Sequence, residues 1–357
     1  PGRAEVVLLA PGRRAELAPF ATLTATGGEA PPPVDLERAA GAAGARLVQG
    51  RLAGVDAPRR RALLAGGGSL AYDRLVVAVG ARRVPSVPGA IHFGGPEDAP
   101  AVRSLLERLI PGAAKGIRTR LAVVVPPGPG WPVPAYELAL LVARRARDLG
   151  VRDLIDLTVV VADREPLAAL GPAVPAAVRA ELAAAGVALR TGDPALDWAF
   201  GWLELASGAR VAADRVVALP ELRGPALRGL PADALGFVRT DAQGRVAGVP
   251  GVDAVGDAAS FPVKHGGLGA QQADAAAARI AADLGADVEP ERFEPLLVGL
   301  LLGGDAPRTI TAEVAGGRPL GAGASWPDPD RGAADKIGGR FLAPFLEGLG
   351  ARMATVA

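Results

Sequence analysis

Cysteine is missing from this chain altogether. That absence excludes structural disulfides, thiolate metal sites and redox-active cysteine pairs. Histidine is nearly as scarce, with His92 and His265 the only two, so a metal centre built on histidine is not expected. Lysine is rare as well: Lys115, Lys264 and Lys336 are the only three among 39 basic residues. A net charge of +1 and the lack of any Lys/Arg stripe interleaved with aromatics argue against a nucleic-acid partner. The longest apolar run, 296–302, is far too short to cross a bilayer. No signal-peptide pattern is visible at the opening Pro1, so the expected location is cytoplasmic.

What is present is a 357-residue chain with 50% apolar and 22% charged residues, enough for two or three domains with full cores. Residues 5–10 (EVVLLA) and 74–79 (RLVVAV) are continuous apolar runs of the kind that form strands buried in parallel sheets. Between them, 21–35 is rich in Thr, Gly and Pro and reads as loop, 35–43 as helix, and 51–72 as a β-meander punctuated by turn signals. Helical spacing of Val102, Leu105, Leu106 and Leu109 marks 96–110, and 111–116 reads as a linker. A second strand–helix alternation follows: strand 121–125, loop 126–134 (PPGPGWPVP), helix 135–149, strand 157–161, helix 172–185 and strand 187–189. Short strands fill 198–219. Beyond 290, two apolar segments read as strands of a small third unit, and 340–353 reads as a closing helix.

The segment 248–276 (GVPGVDAVGDAASFPVKHGGLGAQQADAA) carries the most chemistry. A short apolar strand runs into Gly256-Asp257, where glycine permits close backbone approach and the acid supplies an acceptor. Lys264 and His265 follow, and then a glycine-rich helix start near Gly267, whose free N–H groups and dipole suit an anionic ligand. Gln271 and Gln272 sit in that helix's first turns.

Four stretches together resemble the FAD-dependent pyridine nucleotide–disulfide oxidoreductases, nearest to the type II NADH:quinone dehydrogenase and sulfide:quinone oxidoreductase branch. They are 72–85 (YDRLVVAVGARRVP), 121–140 (LAVVVPPGPGWPVPAYELAL), 248–262 and 263–277. The resemblance implies an α/β fold of two Rossmann-like, three-layer ββα domains, the second inserted in the first, plus a small C-terminal α+β domain. The implied layout is 1–110 with 237–290 for FAD, 111–236 for an NAD(P)-binding-like insertion, and 291–357 as a C-terminal interface domain. It further implies that Gly80, Ala81, Gly256, Asp257, Lys264, Gly267, Gln271 and Gln272 contact FAD. Gly128, Gly130, Glu137 and Asp163 would belong to the second nucleotide site. Lys264 and His265 are the candidates for a catalytic role, Lys264 by stabilising a reduced flavin and His265 as a proton donor. Each also has a plain structural alternative, as a solvated loop lysine and a turn histidine.

Three departures from the family pattern shape the functional expectation. The strand 5–10 is similar to the family's second strand and ends at Ala10-Pro11, so the opening glycine turn, about 25 to 30 residues with its strand and helix, is expected to be absent. In 126–134, Pro126, Pro127, Pro129, Pro132 and Pro134 remove N–H donors that a dinucleotide phosphate would use. The family's cysteines are gone. The expected function is therefore a flavin-only oxidoreductase: a reduced donor, with NAD(P)H one candidate, passes electrons through FAD to a quinone or other small acceptor. The alternatives are a non-catalytic or nucleotide-sensing relative and a ferredoxin- or rubredoxin-type reductase. Phe341, Leu342, Phe345, Leu346, Leu349 and Met353 form an apolar stripe at helical spacing, a candidate for peripheral membrane contact or for docking on the third unit. A homodimer is left open.

Overall fold

The structure, a computed structural model, describes residues 4–28, 32–171, 173–290, 292–303, 308–315 and 318–322. Its central feature is a five-stranded parallel sheet in the order Ile91–His92, Arg215–Ala218, Thr119–Val125, Ile155–Val161, Ala188–Thr191. The strands Thr119–Val125 and Ile155–Val161 end in valine runs without polar alternation, as expected where both faces of a parallel sheet are covered. Alternate residues serve the two faces. Leu121, Val123 and Val125 pack with Val102, Leu105, Leu138 and Val142 of the Ala99–Ala114 and Val133–Asp148 helices. Ala122, Val124 and Val160 instead meet Leu203, Leu205 and Val211 of an antiparallel meander, Ala195–Ala199, Trp202–Leu205 and Arg210–Ala212. The result is a three-layer ββα arrangement of Rossmann type.

A second layered region brackets this one in sequence. Val6–Ala10 pairs in parallel with Ala45–Gln49, and Leu52–Asp56, Arg61–Leu64 and Ser69–Ala71 form the expected meander. Leu75–Val77 leads out of this region, and the chain returns to it as Val252–Ala254, paired in parallel with that same strand. Val77, Val252, Ala254 and Val238 share one core cluster, so segments far apart in sequence close a single unit. The Gly266–Asp283 helix follows directly. Beyond it, Leu296–Leu301, Arg308–Ala315 and Arg318–Ala322 make an antiparallel sheet. The apolar stripe expected in 340–353 lies outside the described residues. No helix among the described residues is long and apolar enough to cross a membrane.

Two local expectations are corrected. The segment read as loop contains a short helix, Ala21–Ala25, because Phe20 is fully buried beside it and the Thr26 hydroxyl donates back to the Thr22 carbonyl at 2.9 Å. The segment read as a linker from 111 is the last turn of the Ala99–Ala114 helix. Pro111 lies inside that turn, and burial of Ile110 and Ala113 on the core holds it helical despite the missing N–H.

Candidate functional site

The strand Val252–Ala254 is fully buried and delivers the chain to Gly256, whose φ of +62° lies in the left-handed region. The Gly256 N–H donates to Gln272 Oε1 at 2.7 Å. A Cβ on the facing Gly269 would lie 3.0 Å from the Gly256 Cα, so glycine at both positions lets the helix dock on the turn. Asp257 then projects into a cavity of about 910 Å³. Burial pushes its carboxyl above the ordinary range, opposed by the nearby Lys264 and Arg83 cations.

Lys264 is buried and held on three sides. Its Nζ donates to the Ala259 carbonyl at 2.5 Å, lies 3.7 Å from the centroid of the Phe237 ring, and faces Asp257 and Asp233 electrostatically. Desolvation lowers its pKa from the usual 10.5 to about 8, against the pull of the two acids. His265 precedes the helix and contributes no side-chain cap. The first N–H groups of that helix have no intrahelical partner, and Gly266 and Gly267 line the cavity.

The opposite wall comes from the segment after Thr119–Val125. Gly130 bridges Val263, and its carbonyl accepts the Lys264 backbone N–H at 3.2 Å. The Trp131 ring lies 4.6 Å from the His265 ring at a tilt of 59°. Gly299 lies under the indole, where a Cβ would come within 2.8 Å of the ring. The proline-rich turn is thus strapped to the Val263–His265 segment and to the Leu296–Leu301 strand.

Of the residues singled out from the sequence, Gly80, Ala81, Gly128, Gly130, Asp163, Asp257, Lys264, His265 and Gly267 line this one cavity. Gly256 lies one residue behind the lining. Gln272 braces the Gly256 turn, and Gln271 spans the Gly267 carbonyl and both backbone groups of Leu296. Glu137 is fully buried away from the cavity, with Oε1 accepting the Leu302 N–H at 3.0 Å. Asp163 is exposed, and desolvation alone pushes its carboxyl upward.

The lining also includes Arg83, Tyr136, Asp233 and Phe237, none of them singled out from the sequence. Arg83 pairs with Glu97 and stands 3.9 Å from Asp98. Asp233 caps its own turn through the Leu235 and Phe237 N–H groups. Tyr136 is completely buried, and its hydroxyl has no partner among the described residues.

The parallel sheets, the left-handed glycine at a strand end and the shared cavity define a Rossmann-type oxidoreductase architecture. The chain belongs to the pyridine nucleotide-disulphide oxidoreductase family, whose model matches residues 4–279. NADH dehydrogenase-like proteins from two strains of Mycobacterium tuberculosis are 33% identical over 228 residues, covering 62% of this chain and 56% of each relative. The chain thus matches little more than half the length of those relatives. In fold it is similar to the sulfide:quinone oxidoreductase of Aquifex aeolicus (TM-score 0.78, 17% identity, 87% of this chain and 78% of that one). It is also similar to a ferredoxin reductase of Rhodopseudomonas palustris (TM-score 0.63, 20% identity, 88% and 77%). The chain carries no cysteine, so no thiol of its own is available for the family's disulfide chemistry.

Proposed function

We propose that this cavity seats the isoalloxazine ring and ribityl chain of FAD, and that the protein is a flavin-dependent oxidoreductase. In this reading it moves electrons from a reduced small-molecule donor to a quinone or other small acceptor. The observation that carries the proposal is Asp257. It is a half-buried carboxylate set into the cavity by a left-handed glycine turn, it accepts no hydrogen bond among the described residues, and it faces a helix start with no side-chain cap. A half-buried acceptor facing an open cavity is available to a ligand donor, and a ribityl hydroxyl provides one.

When bound, the flavin supplies two-electron transfer between donor and acceptor; the protein supplies orientation and electrostatics. Asp257 holds the sugar-alcohol chain. The Gly266–Gly267 N–H groups and the helix dipole favour negative charge at the ring, and the Lys264 ammonium adds to that field from behind Phe237. Lys264 with a pKa near 8 can also exchange a proton near neutral pH. Gly80 and Ala81 line the cavity at the end of the Leu75–Val77 segment.

The test is reconstitution. The purified chain is incubated with FAD, desalted and examined for flavin absorbance, alongside Asp257→Asn. Retained flavin in the parent and about tenfold weaker retention in the variant, the effect of one hydrogen bond to a charged group, are expected. A parent chain that retains no flavin would sink the proposal.

A further inference from the structure

Two parallel strands bring distant segments of the cavity wall side by side. Leu75–Val77 pairs with Val252–Ala254, and the Val255 N–H donates to the Val77 carbonyl at 3.0 Å. The chain leaves the first strand toward Gly80 and the second toward Gly256 and Asp257, so Gly80 and Asp257 line the cavity from neighbouring strand ends. Arg83 follows Gly80 by three residues, within Arg82–Val84, and lines the same cavity. Its cation acts on Asp257, opposing the upward push of burial on that carboxyl.

The Arg83 side chain has a definite seat. It lies across Gly94 and Gly95, where a Cβ on Gly94 would come 2.9 Å from its Cδ and one on Gly95 2.6 Å from its Nη2. Nη1 donates to Glu97 and stands 3.9 Å from an Asp98 oxygen. Nε and Nη2 donate to no group among the described residues, so most of the guanidinium N–H groups are uncommitted. The side chain is 37% exposed and its partner Glu97 63%, and an exposed pair of this kind is weak enough for a ligand anion to displace.

The rest of the lining offers an anion little. Lys264 is the other lysine or arginine there, but it is 4% exposed, with its ammonium tied to the Ala259 carbonyl and the Phe237 face. Asp163, Glu221, Asp233 and Asp257 line the same space. A phosphate entering it is repelled by these acids unless it docks on Arg83, whose planar fork matches two phosphate oxygens.

We infer that Arg83 is the phosphate-recognising residue of this cavity, exchanging Glu97 for the phosphate carried by a ribityl chain held at Asp257. The inference rests on the reading of the cavity as a flavin seat and adds its specificity: flavin nucleotides are selected over unphosphorylated flavin. Asp257 recognises the sugar alcohol and Arg83 the charge, from adjacent strand ends.

The test compares FMN, FAD and riboflavin by equilibrium dialysis against the full chain, Arg83→Gln and Glu97→Gln, with thermal melts to confirm that each variant is folded. In the parent, FMN is expected to bind about tenfold or more tightly than riboflavin, the effect of one charge-assisted contact. Arg83→Gln should remove that advantage and weaken FAD by a similar factor, while riboflavin affinity stays within about twofold of the parent. Glu97→Gln should strengthen FMN binding by about threefold and leave riboflavin unchanged, because it removes the carboxylate that competes for the guanidinium. An arginine that served only to clamp Glu97 would give no such gain. Added salt should weaken FMN binding more in the parent than in Arg83→Gln. Equal affinity for FMN and riboflavin in the parent, an FMN preference that survives in Arg83→Gln, or equal losses for all three flavins in that variant would overturn the inference and leave the flavin seat standing. Failure of all three flavins to bind the parent would overturn both.

Discussion

The Lys264 ammonium lies 3.7 Å from the centroid of the Phe237 ring, which places a buried cation against an aromatic face at the base of the candidate flavin seat. The two residues arrive from different directions. Phe237 ends a turn capped by Asp233, and Lys264 lies just before the helix that closes the cavity. Aromatic contact and the Ala259 carbonyl together hold the charged form in place without an ion pair at hydrogen-bond distance.

That arrangement sets a pH dependence of stability. Burial lowers the Lys264 pKa from 10.5 to about 8, so between those values the unfolded chain binds more protons than the folded one. Stability therefore rises with pH across the window from about 8 to 10.5, and below about 8 the full cost of burying the charge is present. Urea unfolding of the parent and of Lys264→Met at pH 7.5 and 10 checks this. The parent should gain on the variant by no more than about 3 kcal/mol as pH rises. A pH-independent difference would remove the buried charge from the account.

A second buried charge joins the strand Val252–Ala254 to the closing helix. Asp253 is 2% exposed and Arg279 14%, and the two form a direct ion pair. Burial still pushes the Asp253 carboxyl upward, with Arg279 and the more distant Arg245 opposing it. Arg279→Met leaves that carboxylate without its close partner and should cost about 3 kcal/mol, the lower end for a broken buried pair given Arg245. The Arg279→Met/Asp253→Asn double variant should recover part of the loss. Because the folded-state pKa is raised, the single variant should also recover relative to the parent as pH falls through it. Thermal melts at pH 7 and pH 4.5 measure both effects.

Glycine placement yields a contrast between two helices. A Cβ on Gly269 would stand 3.0 Å from the Gly256 Cα, backbone that cannot rotate away, whereas a Cβ on Gly112 meets nothing within 4 Å. Gly269→Ala should therefore lower stability by about 1–3 kcal/mol through overpacking and reduce flavin retention by separating helix and turn. Gly112→Ala, near the end of the Ala99–Ala114 helix, should be neutral or stabilise by up to about 1 kcal/mol. Denaturation curves for the two variants, with flavin absorbance for the first, decide the point.

The parallel strands were legible because valine runs such as 121–125 and 157–161 have no other stable home than a sheet covered on both faces. The Gly256-Asp257 turn was legible because its chemistry is local. Long-range partnerships were not. Gln271 and Gln272 read as cofactor contacts, yet they brace Leu296 and Gly256, because an amide side chain in a helix's first turns serves whichever backbone group folding brings near. The Trp131–His265 contact joins residues more than a hundred positions apart, and no periodicity encodes it. Tyr136 fell inside an apolar helical pattern that gave no sign of its isolated hydroxyl.

Glu137 illustrates the same limit and supplies the last prediction. Its place in the helix resembles a nucleotide-contacting acid, but it is fully buried and its Oε1 accepts the Leu302 N–H at 3.0 Å. Leu302 is itself 1% exposed, so its N–H has no water to turn to if the acceptor is lost. Glu137→Ala should therefore cost about 1–3 kcal/mol, the penalty of an unsatisfied buried donor, on top of the lost packing. Glu137→Gln keeps an oxygen at the same reach and should cost distinctly less. Amide exchange at Leu302 reports the contact directly: it should quicken by about tenfold or more in the alanine variant and much less in the glutamine variant. Equal exchange in the two would show that this residue does not anchor the end of the Leu296–Leu301 strand.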